Sequence, residues 1–477
     1  MDKPPIFLLT VDTLRADYLS CYREDAYIST PNLDSLAMDG EVYLNVMSCA
    51  NQTVPSYAAL LTGRYPSSLG MKITARLDDA EITLPRLLKR QGYHSACWTV
   101  ASAVGRENGV AKDFDRYELI PTNKFMPPPL AIAAQGNAFL QKVARFVPLE
   151  DPLWRVMILQ KYWLAMNDGL GPSGGPVILE GLKELCDGAR QPLFVLANFF
   201  DPHSPYHPPR RHWREELSAR EYLSVMKFNL GHWNNVRRSK ELSDQNRRVL
   251  RRLYKSEVTY VDELIGDFID YLKAQALYED ALIILIADHG ESLGDHGLLG
   301  HWHVLYEDLI HIPMIIKWPG NARRGQVAHL VQNVDVFPTL VDYLQIEDAP
   351  LTEGISLLDP MLEDRLGIAE QLDNPADIYK GRPEFDQWQA KMSDFNYTAV
   401  AFRQGSYKYI AYSDGRRELF DLTRDPGEVD NLVEVEPERA ADFERMIEQT
   451  GRDNVLDDVT DWEEEVLLGH LAQLGYI

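Results

Sequence analysis

The stretch IFLLTVD, residues 6 to 12, decides the fold, because six largely apolar residues lead directly into Asp12. A short apolar run of this kind predicts a strand buried on both faces of a parallel sheet. Two further runs have the same form: Leu193 to Phe200 is followed by Asp201, and Ala281 to Ala287 by Asp288. Ligands of open α/β sheets bind beyond the carboxyl ends of the strands. Three strands that each deliver an aspartate therefore predict one polar site at that edge.

Helical stretches separate these strands, among them Leu84 to Gly92 and Val258 to Leu277. The alternation predicts an α/β fold with a mixed sheet sandwiched by helices. From Tyr397 onward, short strands over Thr398 to Gln404, Tyr407 to Tyr412 and Glu418 to Leu422 predict an antiparallel meander, closed by a helix over Trp462 to Leu474. We expect a catalytic domain over residues 1–390, with residues 120–230 as an insertion near the substrate, and a small C-terminal α+β subdomain over 391–477.

Composition excludes several classes of protein. Among 477 residues, 72 are acidic and 48 are Lys or Arg, a net charge of -24. A nucleic-acid binder normally presents a basic face, so no nucleic-acid partner is expected. No window reaches the roughly 20 apolar residues of a membrane helix, and the N-terminus lacks the features of a signal peptide. We expect a cytoplasmic protein with no membrane partner; a leader removed beforehand and a homo-oligomer both stay open.

Four segments contain the residues on which chemistry would depend. They are VDTLRAD at 11–17, TVPSYAALLTGR at 53–64, DPHSPYH at 201–207, and DHGESLG at 288–294, which is followed by His301. In this order they resemble the sulfatase family of the alkaline phosphatase superfamily. VDVFPTL at 334–340 and the tail from GSYKYIAY to GEVDNL extend the resemblance over nearly the whole chain. It implies an alkaline-phosphatase-like α/β fold.

The resemblance also implies a metal site. Asp12, Asp288 and His289 would bind a divalent cation, with the Thr53 hydroxyl beside or on it. Two carboxylates and one imidazole favour Mn²⁺ or Zn²⁺ over an all-oxygen Ca²⁺ cage; Ca²⁺, Mg²⁺ and a second metal site stay open. A threonine hydroxyl needs metal coordination or a base to act as a nucleophile.

Three departures from the family's pattern change the expected reaction. The usual nucleophile is a cysteine oxidised to formylglycine, and Thr53 in that position cannot be converted. Tyr57 replaces the arginine of the same motif, and Thr13 replaces the second aspartate of the opening pair. A threonine nucleophile resembles the phosphoryl-transfer branches of the superfamily, in which nucleotide pyrophosphatases and phosphoethanolamine transferases have a threonine in this position. The chain also resembles the phosphodiesterase and phosphonate monoester hydrolase branches. Those transferases carry membrane helices, which are missing here, so water is the expected acceptor.

We therefore expect a metal-dependent hydrolase of a small anionic phosphate ester, a phosphodiester or phosphonate monoester, that works through a phospho-Thr53 intermediate. His203 and His301 would assist the leaving group or activate water as general acid or base. The residues expected to contact substrate are His203, His207, Tyr57, Ser102 and Lys72. Two alternatives stay open: a sulfate ester hydrolase without formylglycine, and a non-catalytic protein that binds anionic glycans or lipids.

Overall fold

The computed structural model describes most of the chain, in nine segments. They are residues 3–23, 29–120, 174–188, 192–214, 216–229, 242–301, 304–359, 365–374 and 396–456. Most of the insertion expected over 120–230, and the closing helix expected over Trp462 to Leu474, lie outside these residues. None of the helices in the nine segments combines the length and apolar character needed to cross a membrane.

Within the nine described segments, fourteen strands form a large mixed sheet, a small antiparallel sheet and a two-stranded ribbon. In chain order they are β1 (Ile6–Val11), β2 (Glu41–Met47), β3 (His94–Thr99), β4 (Arg116–Leu119), β5 (Leu193–Phe199), β6 (Leu282–Ala287), β7 (Ser292–Leu293), β8 (Leu299–Gly300), β9 (His311–Lys317), β10 (Gly325–Gln332), β11 (Leu366–Gln371), β12 (Ala399–Gln404), β13 (Tyr407–Tyr412) and β14 (Arg417–Asp421). The large sheet has the order β10-β2-β9-β6-β1-β5-β3-β4. Strand β9 runs antiparallel to both β2 and β6, so the sheet is mixed, as predicted.

The three apolar runs that end in aspartate are neighbours in this sheet. Strand β1 pairs in parallel with β5 on one side and β6 on the other, so that Val11 lies opposite both Phe199 and Ala287. All three strands are buried along their whole length. Asp12 and Asp288 therefore leave the sheet at the same level, as the sequence predicts.

Helices cover the sheet. The helix predicted from Leu84 begins at that residue, and the helix predicted to end at Leu277 ends at Ala274. The described helices are α1 (Pro31–Asp39), α2 (Thr53–Thr62), α3 (Pro66–Leu69), α4 (Leu84–Arg90), α5 (Gly175–Gly188), α6 (Arg210–Trp213), α7 (Ala219–Asn229), α8 (Asp244–Ala274), α9 (Glu307–Ile310), α10 (Val336–Tyr343) and α11 (Pro437–Gln449). Helix α8 begins well before the predicted Val258, because Ser243 caps it by accepting the Asn246 N–H. Its charged first turns still bury apolar side chains such as Leu250 and Leu253, which makes them one face of an amphipathic helix.

The C-terminal meander forms as predicted and takes one further strand. Strands β12, β13 and β14 pair antiparallel in sequence order, and β11 completes the sheet beside β12. Helix α11 packs Ala440, Phe443 and Ile447 against one face of it. Strand β11 precedes residue 391, so the small sheet draws on both sides of the predicted domain boundary, and the boundary itself stays a prediction.

The loop before α2 is attached to the small sheet. Ala50 forms a parallel β-bridge with Glu370 of β11. The Glu370 N–H donates to the Cys49 carbonyl at 2.9 Å. The Asn51 side chain donates to the Gln371 carboxamide oxygen at 3.0 Å and to the Val304 carbonyl at 3.1 Å. The chain segment that leads into α2 is thus held by strand β11.

A buried ionic cluster joins the large domain to the small sheet. The Lys408 ammonium on β13 lies 3.0 Å from Glu307 at the start of α9 and 2.7 Å from Glu428. Arg403 on β12 lies 3.2 Å from Glu307. Burial alone would raise the pKa of Glu307, yet Lys408 and Arg403 lower that pKa to about 2. Burial raises the pKa of Glu428 to about 8, in spite of the opposing effect of Lys408.

The raised pKa of Glu428 predicts a pH-dependent contribution to stability. Between its ordinary value of 4.5 and about 8, the folded state binds a proton that the unfolded state has lost. Stability from this group is therefore full below pH 4.5 and is lost as pH rises toward 8. Glu428→Gln mimics the protonated group at every pH. Urea unfolding from pH 5 to 8.5 should show wild type losing stability relative to this variant; a constant difference would contradict the assignment.

Candidate active site

Three acidic and imidazole side chains meet at the carboxyl edge of the large sheet. Asp12 follows β1, and Asp288 and His289 follow β6. One ligand atom from each residue lies within 4.8 Å of the others, and all three residues are buried. The expected metal ligands are thus brought together by the two central parallel strands.

Backbone groups fix the orientation of two of these side chains. Asp288 Oδ1 accepts the Thr13 N–H at 3.2 Å and the His289 N–H at 2.9 Å. His289 Nδ1 lies 2.9 Å from the Gly290 carbonyl, which assigns the ring hydrogen to Nδ1 and leaves Nε2 as the electron-pair donor. Burial lowers the pKa of His289, so the ring is neutral, as a metal ligand must be.

The cluster fits a divalent cation. Asp288 Oδ2 is buried, lies 3.5 Å from His289 Nε2 and has no hydrogen-bond donor within the described segments. Two carboxylates this close in the interior repel each other unless a cation or a proton neutralises them. Buried charges in proteins are normally paired or coordinate a metal. The donor set of two carboxylates and one neutral imidazole supplies that coordination.

The backbone around the cluster is built for close approach. Thr13 adopts the left-handed conformation with φ +58°, which is unusual for a β-branched residue and aims its N–H at Asp288. Gly290 has no room for a side chain, because a Cβ there would lie 2.1 Å from the Asp308 carbonyl oxygen. Local strain of this kind is characteristic of functional sites.

Thr53 joins the cluster as the first residue of α2. Its Oγ1 lies 3.3 Å from His289 Nε2, and the residue is buried. The helix tolerates Pro55 because the first turn needs no N–H donor from that position. The positive end of the helix and its first N–H groups, which have no acceptor within the helical turns, favour an anion at this place.

Two more histidine rings form a row with the ring of His289. The His301 ring centre lies 4.5 Å from that of His289, and the His203 ring centre lies 5.0 Å from that of His301. Glu291 Oε1 contacts His301 Nδ1 at 3.0 Å, and His203 stacks on Phe200 at 4.3 Å. Burial lowers the pKa of His301 to about 4. Thus His301 lies beside His289 of the metal cluster, and His203 lies beside His301.

Residues that the sequence did not single out hold the cluster in place. The hydroxyls of Ser48 and Ser56 donate to the main-chain carbonyl of Asp288 at 2.5 Å and 2.8 Å. Asn333 Nδ2 donates to Ser56 Oγ at 2.9 Å. Ser56 stands one turn after Thr53, so its hydrogen bond to the Asp288 carbonyl couples the start of α2 to the end of β6. Ser56 could have been noticed within its motif, but no sequence signal links Ser48 or Asn333 to Asp288.

Tyr57 and His207, expected to contact substrate, have protein partners. Tyr57 is fully buried; its hydroxyl donates to Thr10 Oγ1 at 2.6 Å and accepts from Asn198 Nδ2 at 2.7 Å. His207 Nδ1 lies 3.0 Å from the Tyr222 hydroxyl. These contacts tie Tyr57 to the sheet and His207 to α7. Their substrate-binding roles stay predictions.

Ser102 and Lys72 lie in loops. Ser102 follows β3, Lys72 follows α3, and both are half-buried. The main chain after Lys72 is held by Asp373, which accepts the Ile73 N–H at 2.8 Å. Substrate binding by Ser102 or Lys72 also stays a prediction.

Comparison with known proteins agrees with this geometry. The family model described as sulfatase matches residues 4–346, and the model described as N-sulphoglucosamine sulphohydrolase, C-terminal, matches residues 294–451. The chain belongs to the sulfatase family.

Relatives of this sulfatase-family chain extend over nearly its whole length. An arylsulfatase of Clostridium perfringens is 26% identical over 91% of this chain and 91% of its own length. A choline-sulfatase of Rhizobium meliloti is 25% identical over 91% of this chain and 83% of its own length. The crystal structure of a phosphonate monoester hydrolase of Agrobacterium radiobacter superposes with a TM-score of 0.70, at 20% identity, over 96% of this chain and 97% of that one. The last comparison confirms the predicted alkaline-phosphatase-like fold.

Metal binding to the sulfatase-family site should be measurable as thermal stabilisation. Protein stripped by a chelator and reloaded with Mn²⁺ or Zn²⁺ should unfold at a higher temperature. When the free metal concentration is 100 times the dissociation constant, binding adds about 2.7 kcal/mol to the free energy of unfolding. Asp12→Asn removes one of the two carboxylates and is expected to weaken binding by at least about 100-fold, so the shift should vanish. Asp79→Asn, at an exposed surface carboxylate, is the control. A metal-dependent shift that survives Asp12→Asn would place the metal elsewhere.

Proposed function

We propose that this sulfatase-family protein hydrolyses a small anionic phosphorus ester, with Thr53 as the nucleophile. The observation that carries the proposal is the position of Thr53 Oγ1, at the start of a helix and 3.3 Å from Nε2 of His289, a member of the Asp12–Asp288–His289 cluster. The site thus presents a hydroxyl, not a convertible thiol, where the anion would bind.

The order of bond changes follows from these groups. Asp12, Asp288 and His289 would hold the cation, which when bound lowers the pKa of a nearby hydroxyl and offsets developing negative charge. Thr53 Oγ attacks phosphorus, its proton is lost to a nearby base, and the ester P–O bond breaks. The alcohol leaves with a proton from His203, whereas the neutral His301 ring is suited to accept a proton from water in the second step. Water then attacks phosphorus, the bond between phosphorus and Thr53 Oγ breaks, and Thr53 recovers its proton.

Phosphorus fits a threonine nucleophile better than sulfur does. A phospho-threonine can be hydrolysed by attack of water on phosphorus. A sulfo-threonine lacks the hemiacetal route through which formylglycine expels sulfate. We favour a singly charged phosphodiester or phosphonate monoester, because Tyr57 stands where the family's motif has an arginine. The fold shared with a phosphonate monoester hydrolase is consistent with this preference.

A sulfate ester is the second candidate, and the relatives favour it. The two relatives described above are named arylsulfatase and choline-sulfatase. A sulfate monoester carries a single negative charge, like a phosphodiester, so the charge argument does not separate the two.

The metal is proposed to be Mn²⁺ or Zn²⁺, and the protein is proposed to act in the cytoplasm on a small molecule.

A side-by-side rate comparison tests the proposal. Protein stripped of metal and reloaded with Mn²⁺ or Zn²⁺ is given nitrophenyl esters of phosphate, phenyl phosphate, phenylphosphonate and sulfate. Metal-dependent turnover of the phosphorus esters, faster for the diester and phosphonate than for the monoester, is the expected result. Dominant sulfate turnover would establish the second candidate. Metal binding without turnover of any ester would favour a protein that binds anions and does not hydrolyse them.

A further inference from the structure

Gln52, the residue before Thr53, has a buried side chain with no protein partner. It is 2% exposed, and both Oε1 and Nε2 are enclosed without a hydrogen bond to any described residue. A carboxamide can make up to four hydrogen bonds. Burying one with none made is costly, and native structures keep such groups only for a reason.

A structural role at this position does not explain why the Gln52 side chain is buried without a hydrogen bond. Gln52 is the N-cap residue of α2, where a side chain commonly accepts an N–H from the first turn, but its carboxamide makes no capping bond. Only its main-chain carbonyl takes part, accepting the Ser56 N–H at 3.1 Å. The neighbouring carboxamide of Asn51, in contrast, is bonded to Val304 and Gln371.

The position of Gln52 gives its carboxamide a chemical use. It stands at the N-terminus of a helix of ten residues, where the helix dipole and the first N–H groups attract an anion. The N–H₂ group is a neutral donor, so it can bind an anionic oxygen without adding charge. A neutral donor suits a singly charged anion, whereas a dianion favours Arg or Lys.

We propose that the Gln52 carboxamide is a substrate-binding group, donating a hydrogen bond from Nε2 to a non-bridging oxygen of the tetrahedral anion that Thr53 attacks. The proposal rests on the proposed function only in placing that anion at Thr53. Gln52 would then determine the charge of the substrate: its neutral amide stands in place of a positively charged side chain and favours singly charged esters.

Binding of dimethyl phosphate and methyl sulfate, two tetrahedral anions that carry one negative charge each, is measured by calorimetry on the metal-loaded protein and tests the proposal. Gln52→Met keeps the volume and removes the amide, and is expected to raise the dissociation constant of the anions at least tenfold. Its melting temperature should equal or exceed that of wild type, because no protein hydrogen bond is lost. Gln52→Glu puts a negative charge in the same place and should abolish binding of both anions.

Gln332→Met is the matched control. Gln332 is also fully buried, but its carboxamide bonds to Tyr65 and to both main-chain groups of Ile368. This variant should melt at a lower temperature than wild type and bind the anions within about threefold of wild type. The opposite responses of the two Gln→Met variants separate a ligand-binding amide from a structural one.

The outcomes distinguish this inference from the proposed function. Equal anion affinity in wild type and Gln52→Met, or a loss of stability in Gln52→Met as large as in Gln332→Met, would overturn the role of Gln52 and leave the proposed reaction standing. Absence of dimethyl phosphate and methyl sulfate binding by the wild type would overturn the proposed function, and the role of Gln52 with it.

Discussion

Replacing Thr53 with alanine is expected to lower kcat by at least about 10⁴-fold, since loss of a covalent nucleophile in hydrolases costs on that scale or more. The physical reason is that alanine leaves no oxygen to attack the ester at the start of α2. Metal-dependent turnover of the best nitrophenyl ester is the measurement. Thr53→Ser retains the hydroxyl and should keep kcat within about tenfold of wild type.

Metal content and melting temperature serve as controls for Thr53→Ala. Asp12, Asp288 and His289 remain, so the variant should still be stabilised when Mn²⁺ or Zn²⁺ is added. Acid-quenched wild type should also contain phosphorus covalently bound to Thr53, and Thr53→Ala should contain none. If the variant keeps more than about a hundredth of the wild-type kcat, Thr53 is not the nucleophile, and direct attack by water becomes the mechanism to test.

Lys408→Met is expected to destabilise the protein by about 3–5 kcal/mol, which is the usual cost of breaking a buried ion pair by removing one partner. The Lys408 ammonium is fully buried, forms an ion pair with the Glu307 carboxylate and also contacts the carboxyl group of Glu428. Its removal leaves those two acidic groups facing each other in the interior. Urea or thermal unfolding at pH 7 measures the loss.

Lys183→Met is the control for that effect. Lys183 pairs with Glu180 on the surface of α5, and the Glu180 side chain is 74% exposed. An exposed pair of this type contributes at most about 1 kcal/mol. Equal stability losses for Lys183→Met and Lys408→Met would show that the buried cluster does not hold the small sheet to the large domain.

Strand patterning and strand ends were the predictable part of this structure. The three apolar runs before Asp12, Asp201 and Asp288 determined the central strands, because a strand buried on both faces has to be apolar throughout. Their common edge, and with it one polar site that includes Asp12 and Asp288, then followed from parallel pairing. The metal-ligand roles came from the resemblance to the sulfatase family. The resemblance to the sulfatase family added His289 and Thr53, which apolar patterning alone does not reveal.

The supporting contacts could not be predicted, because they depend on atoms from distant parts of the chain. Ser48 and Asn333 act on Asp288 and Ser56 through single hydrogen bonds across more than 200 residues of sequence. The motif that contains Tyr57 does not indicate that its hydroxyl bonds to Thr10 and Asn198. Helix α8 was predicted too short at its start, because a charged amphipathic turn resembles a surface loop until its partners are known.

The attachment of the Cys49–Asn51 segment to strand β11 limits how this protein could be shortened or recombined. A fragment ending before residue 366 would retain Asp12, Asp288 and His289 but lose the Glu370 and Gln371 contacts that anchor the approach to Thr53. Such a fragment would retain the candidate metal ligands, while Thr53 would lack a fixed position. A chimera that takes its C-terminal third from another sulfatase would need the native β11 strand, since contacts from that strand of the small sheet hold the segment that leads into Thr53.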